Sequence, residues 1–398
     1  MKNKTILISG ASIAGPALAF WLNKYGFEAT IIERAPGIRP GGYAIDFRGV
    51  AMEVLKKMDI VEEIKKHETR AGKIDIVDKN NKKIISMPDG FTSGELEILR
   101  GDLANVFYDA TKHDAEYIFD DSITAMQQTS AGVEVIFARH KSRTFDLVIG
   151  ADGLHSNVRA LAFGEEAGFL HHLGIYLAIF TTPNFLDLKD MAGLYYGTLG
   201  RRTGIFSARQ DTEARASFYF ASPAFKYDYR DIDAQKDIMR DKFKNEEWEI
   251  PQLLKYMDSA PDFYFDSVSQ IRMDRWSNGR VALLGDAGYC ASPMAGMGTS
   301  MAVVGAYILA GELKNADSDY TTAFKRYEEC MRPFVTAAQK LGEGAEWFVP
   351  TTKFKQWMSS QIWKILPHTP WRNMMIEMPN KVANSIQLEE YSSLVSSI

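Results

Sequence analysis

Cysteine and long apolar runs are both scarce in this chain, and each shortage excludes some classes of protein. Only two cysteines, Cys290 and Cys330, occur among 398 residues, too few for the disulfide framework of a small secreted protein. They favour a reducing compartment, and we expect a cytoplasmic protein. The longest apolar stretch, residues 301–310, has half the length of a membrane span. The apolar residues 6–8 are too few for a signal peptide, so we expect neither a leader nor a span.

An excess of basic charge is also missing. The formal net charge is −5 and the hydrophobic content is 46%, which is typical of a soluble enzyme and gives no reason to expect nucleic-acid binding. His171 and His172 are adjacent rather than four residues apart, so they cannot share a helical face, and no His, Cys and carboxylate set has metal-ligand spacing. We therefore expect no metal site.

Glycine, by contrast, marks a dinucleotide-binding turn near the N-terminus. Residues 5–9 have the composition of a short buried parallel strand, and an apolar helix follows the turn at residues 10–15. Ser12 replaces the middle glycine of the usual pattern. Glu33 ends a second strand 23 residues after Gly10, close to the roughly 20 expected for a ribose-binding acid. In this geometry the loop and the helix N-terminus meet a pyrophosphate.

Two further strand-to-turn motifs follow. Residues 146–149 lead to Asp152, and residues 280–284 lead to Asp286, after which a Pro/Gly loop precedes a helix from Thr299. Ligands of open α/β sheets bind at such carboxyl ends of strands. Either aspartate alone is explained equally well as a helix cap. Their repetition beside a dinucleotide turn predicts that one long cofactor, FAD, is bound from several sides.

These motifs resemble those of the class A flavoprotein monooxygenases, which are built on the para-hydroxybenzoate hydroxylase plan. The resemblance covers about residues 1–340 and is carried by residues 10–15 with Glu33, by residues 150–159, and by residues 285–298. Arg100 also falls where that family keeps a flavin-contacting arginine. The resemblance implies that Glu33 holds the adenosine ribose, that Arg100 approaches the central part of FAD, and that Asp286 holds its ribityl and pyrophosphate region.

The cofactor-binding set that we predict is drawn from all of these motifs. The resemblance also implies that Asp152 belongs to a segment that serves both FAD and the passing nicotinamide cofactor, NADPH or NADH. The set comprises Gly10, Ser12, Ile13, Ala14, Gly15, Glu33, Arg34, Gly42, Arg100, Asp152, Asp286, Pro293, Gly296, Met297 and Gly298. Two positions depart from the family: Tyr289 follows Gly288 in place of an alanine–histidine pair, and Met297 replaces a glutamine. We expect these changes to affect substrate orientation more than flavin binding.

The chemistry that the resemblance implies belongs to the cofactor. The helix from Thr299 would direct its positive end at the N1–C2=O edge of the flavin, which becomes anionic on reduction. Reduced flavin reacts with O₂ to give a C4a-hydroperoxide that hydroxylates an electron-rich substrate. The protein positions the reactants and excludes water, so we predict no catalytic side chain.

The expected fold class is α/β, with a discontinuous domain of the Rossmann-like, glutathione reductase type. We assign residues 1–72, 98–170 and 272–340 to the FAD-binding domain, residues 73–97 and 171–271 to an inserted mixed β-sheet substrate domain, and residues 341–398 to a helical C-terminal extension. The extension either packs against the FAD domain or forms a lid, which Met374, Met375 and Met378 would suit.

The strand-rich residues 175–222 should roof the flavin, with alternate side chains facing the cavity. The predicted substrate contacts are Tyr195, Phe206, Arg215, Phe220, Pro293, Ala295 and Gly296. An arginine inside a strand requires an anionic or carbonyl partner, which favours Arg215. For each aromatic residue, core packing is the competing explanation.

Within the family, the chain is similar to the tetracycline-inactivating monooxygenases. Residues 10–16, 41–46 and 285–290 and the long helical extension carry this resemblance. It implies a fused-ring polyketide substrate with β-diketone and phenolic enols, and we expect a monomer or weak dimer. Several alternatives remain open. They are a polyketide-tailoring or phenol-catabolising hydroxylase, a flavin-linked reductase, a halogenase (whose tryptophan-rich motif is missing), and a prenyl-GTPase chaperone that binds protein partners.

Overall fold

Runs of strands and runs of helices follow one another in this computed structural model, which describes residues 4–69, 72–87, 94–317, 319–365, 369 and 371–391. The strands are β1 (Thr5–Ser9), β2 (Glu28–Glu33), β3 (Ala44–Phe47), β4 (Ile74–Val77), β5 (Lys83–Ser86), β6 (Leu96–Leu99), β7 (Glu116–Phe119), β8 (Ile123–Gln128), β9 (Val133–Phe137), β10 (Arg143–Phe145), β11 (Leu147–Gly150), β12 (Leu170–Pro183), β13 (Gly193–Thr198), β14 (Arg201–Ala208), β15 (Glu213–Ala221), β16 (Tyr264–Ile271), β17 (Ser277–Asn278) and β18 (Val281–Leu283). The helices are α1 (Ala14–Lys24), α2 (Val50–Lys57), α3 (Val61–Lys66), α4 (Arg100–Asp109), α5 (Asn157–Phe163), α6 (Ile232–Phe243), α7 (Ile250–Ser259), α8 (Asp286–Tyr289), α9 (Gly298–Asn315), α10 (Tyr320–Leu341), α11 (Ala345–Phe348), α12 (Lys353–Ile365) and α13 (Trp371–Ala383).

A largely parallel sheet joins the three predicted motifs. Its strand order is β17-β18-β11-β1-β2-β7, and all its pairs are parallel except β17 with β18. Ser9 pairs with Gly150 and with Ile32, so the carboxyl ends of β1, β2 and β11 share one edge. Helix α9 packs against α1 and α10. Residues 6–8 of β1 and 147–149 of β11 are apolar and fully buried, as is usual for the central strands of a parallel sheet.

A second, seven-stranded sheet has the order β16-β12-β15-β14-β13-β4-β5. It is mixed, as predicted, since β4 pairs parallel with β13 while its other pairs are antiparallel. One face packs Tyr176, Phe180 and Phe218 into a core with residues of α6 and α7. The opposite face carries Ile175 and Leu177, which cluster with residues of the first sheet's loops and of α11. The second face is therefore the one that roofs the loops of the first sheet.

The C-terminal extension contacts the second sheet and also the helices that belong to the layer of the first sheet. Helix α11 packs on β12. Further on, the ring of Tyr391 covers Gly311 of α9, where an added Cβ would lie 2.2 Å from that ring. The Tyr391 hydroxyl donates to Oε1 of the buried Glu312 at 2.7 Å. The extension is therefore packed on the FAD-binding domain at this end.

The lid role of the extension stays a prediction. Met374 and Met375 lie outside the side chains that the structure describes, and Met378 is exposed. The domain boundaries given above likewise stay predictions, although β4 and β5 do join the sheet formed by residues 170–271. Within the described part of the chain, no helix combines the length and apolarity needed to cross a bilayer.

Candidate active site

The first turn leaves no room for side chains at either end. A Cβ on Gly10 would lie 2.4 Å from the carbonyl oxygen of Ala151, and one on Gly15 would lie 2.0 Å from the carbonyl oxygen of Gly10. Gly10 also has a φ of +110°, which favours glycine. The backbone of this turn is therefore held against the β11 motif, so the first and second predicted motifs form one surface.

Glu33 is buried at the end of β2 with its carboxylate held by the backbone. Oε2 accepts from the Ala11 N–H and Oε1 accepts from the Ala35 N–H, both at 3.0 Å. Because a carboxylate has about four acceptor positions, capacity remains for the two ribose hydroxyls that the prediction assigns to it. Arg34, the next residue, is exposed.

Arg100 links the first turn to the loop that follows β2. Its Nη1 donates to Oγ of Ser12 at 3.0 Å, and its Nη2 donates to the carbonyls of Arg39 and Gly41, both at 3.3 Å. A Cβ on Gly42 would lie 2.6 Å from Nε of Arg100. Burial, assisted by the charge of Arg39, lowers the pKa of Arg100. The structure thus brings together Ser12, Gly42 and Arg100, three predicted site residues from distant parts of the chain.

The structure corrects one helix boundary here. In the sequence, Asp102 is of a residue type that favours the N-cap position, so the run at residues 99–103 predicts that a helix begins after it. Helix α4 instead begins at Arg100 and its N-cap is Leu99. Asp102 therefore lies inside the first turn, where its Oδ1 accepts from Nη2 of Arg209 at 2.9 Å. Its carboxylate joins the two sheets' layers instead of capping a helix.

Asp152 is engaged by its own chain. Its Oδ2 accepts from the Val158 N–H at 3.1 Å and from the Ser9 hydroxyl at 3.3 Å, while the Ser156 hydroxyl donates to Oδ1. The carboxylate thereby ties the start of α5 to the end of β1, while the N-cap of α5 is Ser156, whose side chain accepts from the Arg159 N–H. Its contact with FAD or a nicotinamide cofactor stays a prediction.

The third motif places Asp286 beside the start of α9. An added Cβ on Gly298 would lie 3.6 Å from Oδ1 of Asp286. Gly296 is left-handed, and Met297 at the N-cap makes no side-chain capping bond. The first N–H groups of α9 are therefore available to a ligand in front of this turn. Burial raises the pKa of Asp286.

Unpartnered polar atoms mark the same region. The hydroxyls of Ser292 and Ser300 are buried and have no hydrogen-bond partner within the described residues. Ser292 directly precedes the Pro293–Ala295 turn, and Ser300 lies in the first turn of α9. Buried polar groups normally find partners. Ser300 lies in the turn whose N–H groups are free, whereas the Ser292 hydroxyl lies near Gly342, 2.8 Å from where a Cβ on that glycine would stand.

The predicted substrate contacts lie on two different faces of the seven-stranded sheet, which we call the roof sheet. Strand pairing places Tyr195, Phe206 and Arg215 on the face toward the FAD-binding loops. Phe220 lies on the opposite face, 1% exposed, with its ring centroid 6.3 Å from that of Phe243. The structure therefore gives Phe220 the core-packing role, and we no longer include it among the proposed substrate contacts. Ala295 is buried in the third turn.

Arg215 forms its hydrogen bonds with residues of the protein itself. Its Nη2 donates to Oε1 of Glu213 at 2.8 Å, and its Nη1 donates to the Thr181 hydroxyl. The same Glu213 oxygen lies 2.9 Å from Nε of Arg209. The expected anionic partner of this arginine is therefore present, but it is a residue of the neighbouring network and not a ligand.

Sequence reasoning missed another arginine on this face, Arg202. Its guanidinium carbon lies 4.4 Å from the ring centroid of Phe348 and 5.6 Å from that of Tyr195. Tyr219 meets the Phe348 ring edge-on at 4.9 Å. The signal in the sequence was the alternation of β14, which places Arg202 on the same face as Phe206. Phe348 could not be found this way because it comes from the C-terminal extension.

A second missed cluster surrounds His155, which lies in the second motif. Its Nδ1 lies 2.8 Å from Glu166 Oε1 and its Nε2 lies 3.1 Å from Asp266 Oδ1. Asp266 also accepts from the hydroxyls of Tyr227 at 2.7 Å and Tyr264 at 3.1 Å. Burial alone would lower the pKa of His155, but the two carboxylates outweigh it and raise the pKa to about 9. The imidazolium therefore ties the second motif to β16 of the roof.

Tyr289, one of the two departures from the family, faces the core. Its hydroxyl accepts from that of Tyr327 at 2.8 Å, and its ring centroid lies 4.6 Å from that of Trp276. Tyr289 therefore packs beneath the third motif, and the expected effect of this departure on substrate orientation stays a prediction. Among the described residues, no group of three or more His, Cys, Asp and Glu side chains is arranged to hold a metal ion.

Comparison with known proteins identifies the class. The family described as FAD binding domain matches residues 3–340, and the chain belongs to that family. This match, together with the similarity to monooxygenases along nearly their whole length, shows that the protein is a class A FAD-dependent monooxygenase. A flavin-dependent monooxygenase of Legionella longbeachae is 39% identical over 98% of this chain and 99% of the relative. An uncharacterised Mycobacterium tuberculosis protein is 49% identical over 85% of this chain and 92% of its own length.

Among solved structures, the similarity extends to a tetracycline destructase. The crystal structure of tetracycline destructase Tet(51) superposes with a TM-score of 0.84 at 36% identity, covering 97% of this chain and 98% of the other. The fold and the family are therefore those expected from the three motifs, and the tetracycline destructases are the branch that the protein resembles.

Proposed function

We propose that the enzyme inserts oxygen from O₂ into a polycyclic phenol or enol, with tetracyclines as substrates and NADPH or NADH as the electron donor. The observation that carries this proposal is the extent of the similarity to Tet(51). The FAD binding domain match ends at residue 340, whereas the similarity to the destructase covers 97% of this chain. It therefore includes the helical extension that contacts the roof. Oxygenation of a tetracycline would inactivate the antibiotic.

The residues of the first sheet's edge suit the cofactor. Glu33 would accept from the adenosine ribose, while Arg100 and the turn around Ser12 would neutralise the pyrophosphate. The free N–H groups at the start of α9 would face the part of the flavin that gains negative charge on reduction. FAD, when bound, supplies the oxygen-activating chemistry. The protein's part is to hold it, to exclude water and to orient the substrate.

The roof suits a flat aromatic substrate. Tyr195 and Phe206 meet at right angles with ring centroids 5.0 Å apart, and Gly193 and Gly204 clear the space beside them, since a Cβ at either would collide with Phe206. An aromatic wall facing the flavin loops favours fused rings over flexible aliphatic chains. This composition supports a polycyclic phenol or enol as the substrate class.

The test is a turnover assay on the purified, FAD-loaded protein. With NADPH and tetracycline under air, we expect loss of the near-ultraviolet absorbance of tetracycline, coupled to NADPH oxidation. Labelled oxygen from ¹⁸O₂ should appear in the product. A product without label would instead indicate a flavin-linked reductase. Stimulated NADPH oxidation with simple phenols but not with tetracyclines would indicate a catabolic or tailoring hydroxylase. Repeating the assay with NADH decides between the two electron donors.

A further inference from the structure

Exposed apolar side chains are concentrated in the C-terminal extension. Among the described residues, six of the thirteen exposed large apolar side chains lie between residues 347 and 378, although this stretch is less than a tenth of the chain. Two of the six are aromatic residues of α12, Phe354 at 64% exposed and Trp357 at 60% exposed. Single exposed apolar residues are ordinary on a protein surface, but a cluster of them marks an interaction site.

The exposed apolar residues of α12 lie on one side of the helix. Phe354 and Trp357 are three residues apart, and their ring centroids lie 6.4 Å apart. Ile362 and Ile365 are also exposed and follow Phe354 at i+8 and i+11. With 3.6 residues per turn, these spacings fall within one half of the helix circumference. The opposite side meets the protein, where Ser359 is buried. We call the set Phe354, Trp357, Ile362 and Ile365 the apolar face of α12.

The charges on α12 are all positive. The helix carries three lysines and neither aspartate nor glutamate, in a chain whose net charge is −5. Lys355 pairs with Glu346 at 2.9 Å. Lys353 and Lys364 are exposed, and no carboxylate of the described residues is in ion-pair range of either. Because they are eleven residues apart, they lie on the same side of the helix, at one border of the apolar face. This apolar face with a basic border suits an anionic partner.

A second copy of the chain fits this surface less well than a bilayer does. Homodimers are usually isologous, so α12 would pack against α12 of the other copy. Lys353 and Lys364 would then approach the lysines of that copy with no acidic side chain on either helix, and like charges placed together are unfavourable. A bilayer with anionic lipids suits both parts, since aromatic rings lie at the headgroup boundary and lysines are attracted to the lipid phosphates.

We propose that α12 docks the enzyme on an anionic membrane surface, with its apolar face in the headgroup region and Lys353 and Lys364 on lipid phosphates. At 13 residues the helix is too short to span a bilayer, so it lies in the plane of the surface. It packs on α11, which supplies Phe348, and between the two helices the Gly200 N–H donates to the Pro350 carbonyl at 2.8 Å. Docking would therefore bring the Phe348 side of the roof sheet to the membrane, where apolar ring compounds accumulate.

Co-sedimentation of the full-length, FAD-loaded protein with vesicles tests the docking without turnover. The vesicles are phosphatidylcholine alone, or phosphatidylcholine with about one third phosphatidylglycerol. We expect binding to the anionic vesicles that salt weakens, and little binding to the neutral ones. For Phe354→Ala/Trp357→Ala the partition coefficient should fall by at least about 10-fold, since two rings leave the interface. For Lys353→Gln/Lys364→Gln it should fall by about 10- to 30-fold on anionic vesicles.

Two further variants separate the apolar face from a general effect on the protein surface. Ile136→Ala/Ile232→Ala removes two exposed apolar side chains from other elements and should bind as the wild type does. Trp357→Phe keeps an aromatic ring but removes a fluorophore. It should bind nearly as the wild type does, with less quenching of tryptophan fluorescence by lipids brominated in their acyl chains. Equal flavin absorbance in all variants checks that the fold is intact.

Four results would overturn the proposal. One is a wild-type protein that does not sediment with anionic vesicles. Another is equal binding to neutral and anionic vesicles, which would contradict the role of the lysines. The third is binding that Phe354→Ala/Trp357→Ala leaves unchanged, which would assign it to another surface. The fourth is a wild-type dimer, seen by light scattering, that this variant dissociates, which would assign the face to a second copy. If vesicles are bound but tetracycline is not oxidised, the docking surface stands and the proposed substrate fails.

Discussion

Gly15 shows how little freedom single positions have in the cofactor site. Its missing side chain allows α1 to begin directly behind the turn, with the carbonyl oxygen of Gly10 only 2.0 Å from where a Cβ would lie. That oxygen belongs to the backbone, so it cannot move aside as a flexible side chain could. The shape of the turn therefore depends on this glycine more than on Ser12, which replaces a family glycine.

We expect Gly15→Ala to lose most of its bound FAD. Relieving the collision must displace the turn, and overpacking of this kind costs on the order of 1–3 kcal/mol. The measurement is the ratio of flavin to protein absorbance after purification and reconstitution. Gly37→Ala is the control, because an added Cβ there meets nothing within 4 Å. Equal flavin content in the two variants would contradict the role given to the turn.

His155 makes the stability of the protein depend on pH. Its pKa is raised to about 9 in the folded state, against roughly 6.5 in an unfolded chain. The charged imidazole therefore stabilises the fold fully below pH 6.5, and this contribution disappears as the pH rises through about 9. We expect His155→Gln to lower the free energy of unfolding by on the order of 3 kcal/mol at pH 6, and by much less at pH 10.

Urea unfolding at the two pH values measures this difference. The control is His113→Gln, since His113 is an exposed residue of the loop after α4. Its effect should be small and the same at both values. A destabilisation by His155→Gln that is independent of pH would mean that packing against Tyr229, whose ring stacks on His155 at 4.6 Å, matters more than the charge.

At the scale of elements, the sequence predicts the buried parallel strands and their turns well. Short apolar runs that end in glycine or a carboxylate admit few other structures, and β1, β2 and β18 form as expected. The sequence does not predict which face of each roof strand meets the cavity. Both faces of β15 are covered, so apolar composition cannot say which side meets the cavity. Arg215 and Phe220 cannot both face the cavity, because residues five apart on one strand point to opposite faces.

Some of the site depends on contacts that no local pattern encodes. Arg202 meets Phe348, and His155 meets Asp266, across more than a hundred residues of sequence. Alternation identifies the face of a residue but not its partner on another element. The glycines of the turns are easier to predict because tight turns need glycine for local steric reasons, and those reasons are visible in the sequence. Their contacts with FAD stay a prediction.

The contact between α9 and the end of the chain gives a prediction about an element. The Tyr391 hydroxyl donates to Glu312, which is 2% exposed and has Arg326 only at 3.9 Å. In Tyr391→Phe the buried carboxylate loses this bond, which should cost about 1–3 kcal/mol of the free energy of unfolding. Chemical denaturation measures it. Tyr108→Phe, whose ring packs on Tyr117, is the control. Equal stability of the two variants would show that the extension is only loosely docked.

For the whole molecule, the question is which contacts hold the roof over the cofactor domain. The pair of Arg209 with Asp102 crosses between the two layers, but Arg209 is 46% exposed, and such pairs contribute about 0.2–1 kcal/mol. His155 and Asp266 are 18% and 8% exposed and share a network of hydrogen bonds. The buried cluster should therefore control the relative position of the two layers.

Double-mutant cycles test this ranking. We expect a coupling energy of about 0.5 kcal/mol or less between Arg209→Gln and Asp102→Asn, and about 1–3 kcal/mol between His155→Gln and Asp266→Asn. Both energies come from urea unfolding at pH 7. Added salt should weaken the first coupling more than the second. The reverse order would place the main connection at the α4 edge of the molecule.

Phe348 lies beyond residue 340, where the match to the FAD binding domain family ends, yet its ring packs on Arg202, on the face of the roof that clusters with the flavin loops. The wall of the cavity is therefore built partly by a segment outside the family match. Chimeras that exchange this tail between related enzymes should shift substrate preference while keeping their yellow colour. Divergence in the tail would let the substrate range change without disturbing the redox core.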